Sequence, residues 1–280
     1  LYSLAYMLGY KPKVTKAATV DIDFYQQIPA KLSSSVYIPD FDYTLLFNDN
    51  TQVKPASGNN FFIIQDAVDF STSSSFDPTE ITVYQISAGN PQYYLLKKTR
   101  KGISAQIETG TFSFGAPAAF STVTLETADI IQILDITDSD GNTWYEVPYL
   151  GQEMVYRPLK NTNTNDPNSS SDSGAPYLMQ LEKVQRRFTT RFTSETTLEI
   201  QFGSGTTGDV DELITPNPNN VGLGLPYEQS KLTTAFDPTN FLYTDTYGIA
   251  PSNTTLTVRY LTGGGVTANV EAGTLTSLAG

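Results

Sequence analysis

Apolar and polar residues alternate in short runs along most of this chain. Val20, Ile22 and Phe24 alternate with Thr19, Asp21 and Asp23, the period-two signature of a strand with one dry face. Comparable runs recur at 36–38, 43–47, 61–64, 81–86, 93–96, 112–114, 123–125, 130–136 and 144–147, then at 177–183, 187–192, 198–202 and 255–261. Gly, Pro, Asn and Asp separate them, which predicts a mainly β protein of antiparallel sandwich or barrel-like domains with long irregular loops. Helical spacing occurs at Leu1, Leu4, Ala5 and Leu8, with Gly9 placed to end a short N-terminal helical stub. A second helical turn is expected at 227–232, where Pro226 suits the first position.

Residues 161–174 hold only Asn, Thr, Asp, Pro, Ser and Gly, the composition of a flexible linker. The pattern therefore predicts four parts: 1–16 as the end of a helical segment and its connection, 17–160 as a β-rich domain, 161–176 as a polar linker or loop, and 177–280 as a second β-rich domain. The last 26 residues suggest a hairpin with Gly263, Gly264 and Gly265 at its tip. Because the pattern opens in the middle of a helix, we expect the chain to be part of a longer protein, with the second domain continuing further.

Composition narrows the chemistry. An apolar fraction of 39% and an aromatic fraction of 12% are enough to build cores. Charged residues make up 16%, against roughly a quarter in an average soluble domain, and 17 Lys and Arg face 29 Asp and Glu for a net charge of −12. Such a chain repels a phosphate backbone, so nucleic acid is not expected as a partner. No apolar run approaches the ~20 residues of a membrane span. The sequence contains no Cys and no His, which removes thiol nucleophiles, Ser-His-Asp catalysis and nearly all structural zinc sites.

The remaining motifs read as structure. Gly203, Gly205 and Gly208 spell G-x-G-x-x-G after a predicted strand, but Asp209, Asp211 and Glu212 follow, opposing phosphate, and Pro216 and Pro218 forbid a long helix. A glycine-rich turn fits better than a nucleotide loop. Asp138-Ser139-Asp140-Gly141-Asn142 resembles the start of a calcium loop, yet Tyr149 stands where a bidentate Glu belongs, and the flanking strands favour a β-hairpin. Glu146, Glu153, Glu182 and Glu199 lie in no hydrolase motif. No catalytic, metal or cofactor site is expected, and the chain is not expected to be an enzyme. Candidate interface residues come from two basic clusters, Lys97, Lys98, Arg100 and Lys101, and Lys183, Arg186, Arg187 and Arg191, suited to docking an acidic neighbour. Phe241 and Tyr243, in an aromatic run, and the glycines 263–265 complete the set.

The C-terminal third resembles a known family. Ile200-Gln201-Phe202-Gly203-Ser204-Gly205, then 256–265 (LTVRYLTGGG), then 268–275 (ANVEAGTL) are similar in order and spacing to the F-G-D-G loop, Tyr-Arg-x-Gly-Gly strand and Asn-Val-x-x-Gly-x-Leu ending of the baseplate wedge and baseplate J-like proteins of contractile-tailed, T-even-like phages. Segments 5–12 (AYMLGYKP), 17–20 (AATV) and 138–152 (DSDGNTWYEVPYLGQ) add to the likeness. Ser204 departs from the family's Asp, and a long insertion separates Gly208 from Thr254. The resemblance implies a non-enzymatic structural subunit of the virion tail, assembled in the host cytoplasm, that pairs with itself and with other wedge proteins in a ring around the hub, with hub or sheath-proximal proteins as further partners. A carbohydrate- or receptor-binding tail module is the alternative, for which aromatic side chains gathered in one shallow groove would speak.

Overall fold

The structure is a computed structural model that describes residues 1–56, 60–74, 77–161, 177–206, 247–265 and 268–279. In chain order the described elements are α1 (Tyr2–Met7), β1 (Thr19–Ser33), β2 (Val36–Pro39), a 3-10 turn (Phe41–Tyr43), β3 (Leu46–Phe47), β4 (Gln52–Pro55), β5 (Phe62–Ile64), β6 (Val68–Asp69), β7 (Glu80–Ser87), β8 (Asn90–Ser104) and β9 (Gln106–Phe114). There follow β10 (Thr122–Leu125), β11 (Ile130–Thr137), β12 (Thr143–Glu146), β13 (Met154–Lys160), β14 (Tyr177–Lys183), β15 (Arg187–Ser194), β16 (Thr197–Phe202), β17 (Thr254–Thr262) and β18 (Leu275–Ala279). The protein is mainly β, built on curled, barrel-like sheets, with one short N-terminal helix.

Two compact units divide the chain. The first comprises Leu1–Val14, Ile107–Tyr156 and Leu181–Leu261, and the second Thr15–Gln106, Arg157–Gln180 and Thr262–Gly280. They interleave in sequence, whereas the pattern of runs and linkers predicts two consecutive domains meeting at 161–176. Strand pairing explains the difference, since the closing strand β18 pairs with β4, more than two hundred residues earlier, and composition carries no trace of such a long-range partner. Residues 162–176 of the expected linker lie outside the described residues, as do the expected helical turn at 227–232, Phe241 and Tyr243.

In the second unit the sheet order is β18-β4-β5-β8-β1-β2, with β7 also paired to β8. The long strands β1 and β8 run antiparallel from Thr19↔Ile103 to Pro29↔Tyr93. Period two places Ile22, Phe24 and Ile28 on one face with Tyr94 and Leu96, and these pack with Val53, Phe62, Ile64, Val68 and Phe70 into one core. β8 is shared, because β5 pairs with its end at 102–104 and β7 with 90–97. β7 has no second partner strand among the described residues.

In the first unit the order is β10-β16-β15-β12-β11-β17-β9. Alternating Leu198, Ile200 and Phe202 of β16 and Leu256, Val258 and Tyr260 of β17 bury one face. Phe202 sits at the centre, edge-on to Trp144 at 5.3 Å and to Phe114 at 5.6 Å, the geometry that aromatic quadrupoles favour. The pair β12–β15 departs from the antiparallel expectation, being parallel in register Tyr145↔Arg187 and Glu146↔Phe188. A parallel pair needs a long crossover, which the forty residues separating them provide.

The turn expected at Asp138 is present. β11 and β12 pair at Ile136↔Trp144 and Thr137↔Thr143, and Gly141 takes φ +83°. The hairpin expected at the C-terminus is not found among the described residues. β17 belongs to one sheet and β18 to the other, so Gly263, Gly264 and Gly265 lie on the connection from one to the next and not at a hairpin tip. All three have positive φ, and a Cβ on Gly264 would stand 2.3 Å from Thr15 Oγ1. The glycines thus serve a sharp change of course against Thr15, which local pattern alone cannot tell from a turn between paired strands.

Candidate functional site

Alternation along β8 decides the fate of the first basic cluster. Lys98 shares the inner face with Tyr94 and Leu96, and its side chain is 0% exposed. Its Nζ donates to Asp77 Oδ2 at 2.7 Å, and Arg100 donates to both oxygens of the same carboxylate at 2.7 and 2.9 Å while its Nε reaches the Ala67 carbonyl at 2.8 Å. Burial pulls Lys98 below the ordinary ammonium range, against the pull of Asp77. Burial alone would raise Asp77, but hydrogen bonds from Arg100 and Lys98 outweigh it and hold the carboxyl below its ordinary value.

Lys97, on the outer face, lies 3.5 Å from Asp23 and 3.6 Å from Glu80, and Lys101 is exposed. The cluster is therefore an internal clamp with an outer fringe, and only Lys97 and Lys101 are placed to meet a neighbour. Period two read from Leu96 onward would have assigned Lys98 and Arg100 to the inside; a count of nearby cations hides this.

The second cluster divides in the same way. Arg187 is fully buried, with Nε donating to the Leu150 carbonyl at 2.6 Å and a terminal nitrogen to the Val184 carbonyl at 2.7 Å. Arg186 lies 3.6 Å from Asp138, and Lys183 lies 3.7 Å from Glu153. Arg191 is half exposed and pairs with Glu199 at 2.7 Å.

A second carboxylate, Asp69, is buried and anchors the strand pair β13–β14. Its oxygens accept from Ser71 N at 2.9 Å and Ser71 Oγ at 2.5 Å, from Lys160 Nζ at 2.8 Å and from the Tyr177 hydroxyl at 3.4 Å. Burial by itself would raise Asp69, and these donors, Lys160 foremost, bring it below the ordinary carboxylate range. Burial and the neighbouring Asp69 charge push the Tyr177 phenol up. No group of three or more carboxylates suited to a metal is found among the described residues.

The glycines at 203 and 205 hold a backbone crossing. Ser204 N and Gly205 N both donate to the Gly248 carbonyl, at 3.0 and 2.9 Å, and Ala250 N donates to Gly205 O at 2.7 Å. A Cβ on Gly203 would fall 2.1 Å from Gly248 O, and one on Gly248 would fall 2.7 Å from Arg187 Cγ. These glycines allow two backbones to touch and present no open row of N–H groups to a phosphate among the described residues, while Gly208 of the expected glycine-rich turn lies outside them.

Beside this crossing the first unit carries a groove of about 510 Å³, lined by Tyr6, Phe120, Tyr149, Tyr247, Arg191 and Gln201 among others. Phe120 N donates to Gly203 O at 2.9 Å, and Phe120 adopts φ +53°, a left-handed conformation costing a bulky residue of order 1–3 kcal/mol. The strain places its ring edge-on to Tyr247 at 5.8 Å. Tyr6 is fixed by accepting a hydrogen bond from Phe192 N at 2.7 Å. No local motif marks these aromatics, because they come from α1, two loops and the residue before Gly248.

Apolar side chains also stand exposed on strands. Every residue of β7 is exposed, including Ile81, Val83, Tyr84 and Ile86. Register places Ile81 opposite Leu96 and Val83 opposite Tyr94, so the sheet's dry face continues onto β7 without a cover. Met154, Tyr156 and Leu159 of β13 and Leu178, Met179 and Leu181 of β14 are exposed as well. Apolar residues gathered on an exposed strand mark a surface where a partner can bind. Comparison with protein-family models, with curated proteins and with solved structures finds no match for the chain.

Proposed function

We propose that this chain is a structural subunit of the baseplate wedge of a contractile-tailed phage, associating with itself and with other wedge proteins to form the ring around the central hub, and that it carries out no catalysis. Its place is the virion tail. The observation that carries the reading is β7, an eight-residue strand with every side chain exposed and one edge unpaired among the described residues. Such an edge adds a neighbouring chain by backbone hydrogen bonding, with pockets for alternate side chains supplying specificity. The exposed apolar residues of β13 and β14 supply a second contact of the same kind. Between Glu80 and Asn90, β7 and its turn are uncharged, so a partner can approach there without meeting the chain's net charge of −12. The sequence likeness at 200–205, 256–265 and 268–275 supports the particular assembly.

Electron cryomicroscopy of the intact particle tests the proposal. Density for this chain in repeated copies at the tail tip, with β7 covered by a neighbour, is the expected result. Its location in the capsid, or its absence from the purified particle, overturns the assignment.

A further inference from the structure

The groove beside the Gly203–Gly248 crossing has no part in strand addition, and its chemistry is specific. Tyr149 is 64% exposed, Tyr247 37% and Phe120 36%, so three aromatic rings meet water in one concave site. The strained backbone at Phe120 is what brings its ring to Tyr247, and the volume of about 510 Å³ suits a ligand of two or three rings. Polar groups sit among the rings: the Gln201 amide, with both donor and acceptor, the Thr189 hydroxyl and the Lys11 ammonium. Charge decides between ligand classes. Arg191 is matched by Glu199 at 2.7 Å, which leaves Lys11 as the single lining cation without a carboxylate partner among the described residues. Lys11 Nζ already donates to the Pro148 carbonyl at 3.3 Å.

We infer that this groove binds a neutral oligosaccharide. A pyranose has an apolar C–H face that covers an exposed aromatic ring and a rim of hydroxyls that pair with amide, hydroxyl and ammonium groups, which is the mixture the groove presents. A ligand with a carboxylate on each ring would find only one cation not matched by a carboxylate, Lys11, and a wholly apolar ligand would strand Gln201 and Thr189. The inference goes beyond the assembly role and stands on different residues.

Isothermal calorimetry of the full chain with maltotriose, cellotriose and the trimer of N-acetylglucosamine tests it, with trigalacturonate as the anionic control. At least one neutral trimer binds, Tyr149→Ala and Tyr247→Ala each weaken binding about tenfold, and Tyr149→Phe, which keeps the ring, retains most of it. Unchanged melting temperatures show that the variants remain folded, as expected for exposed side chains. Absence of heat with every neutral trimer at millimolar concentration, binding indifferent to both alanine variants, or tighter binding of trigalacturonate each overturns the inference. None of these results bears on the tail-tip location by which the assembly role is judged.

Discussion

A Cβ placed on Gly203 would stand 2.1 Å from the carbonyl oxygen of Gly248, so the two glycines fix how closely two segments of the first unit cross. The obstacle is backbone, which cannot rotate away. We predict that Gly203→Ala destabilises the protein by at least about 3 kcal/mol, at or beyond the upper end for overpacking. Urea unfolding of the variant measures this, and an unchanged midpoint would show that the crossing yields.

The clamp at Asp77 makes an asymmetric prediction. Asp77→Asn leaves Lys98 buried without its counter-charge and costs about 3 kcal/mol, the low end for a broken buried pair because Asp77 keeps some solvent contact. Lys98→Met removes the desolvated cation, leaves Asp77 with Arg100, and costs less. Equal losses in the two denaturation curves would contradict this account.

Acid should unfold the chain through carboxylates that are hydrogen-bonded in the folded state. Asp69, Asp77 and Asp138 are all held below their ordinary value in the folded state. A carboxylate with a depressed folded pKa contributes its full stability above the unfolded value of about 3.9, and that contribution is lost as pH falls through the folded value. Melting temperature should therefore be level from neutral pH down to about 4 and drop below it. Asp69→Asn should melt lower at neutral pH and show a shallower acid limb.

On β7, Val83→Lys and Ile86→Lys alter exposed side chains and should shift stability by no more than about 0.5 kcal/mol. The same changes should abolish incorporation into assembled tails, read as loss of the chain from purified particles. Normal incorporation would remove β7 from the interface.

At the β11–β12 turn, Asp138 accepts from Asn142 N at 2.8 Å, Asp140 N at 3.1 Å and the Asn142 side-chain amide at 3.0 Å. Its oxygens are engaged in closing the turn. Asp138→Ala should cost about 1–2 kcal/mol, and millimolar calcium should leave the melting temperature of the parent chain where EDTA leaves it. A calcium-dependent rise would restore the cation-loop reading.

The alternation of Val20, Ile22 and Phe24, the turn at Asp138–Asn142 and the stop at Gly9 were legible in the sequence because each is a local matter of period, side-chain size or permitted φ. The inner position of Lys98 is local in the same sense, since it shares its parity along β8 with Leu96. What tertiary structure alone decided is pairing over distance. β18 joins β4, β12 lies parallel to β15, and Asp77 gathers Lys98 with Arg100. The groove likewise exists only because Tyr6, Phe120, Tyr149 and Tyr247 arrive from separate segments. A run of residues states which of its faces is dry and not which other run will cover it, because hydrophobic burial is non-directional and many partners would satisfy it equally. The choice among them falls to packing shape, close backbone approach and matched charge, which appear only when the chain is folded.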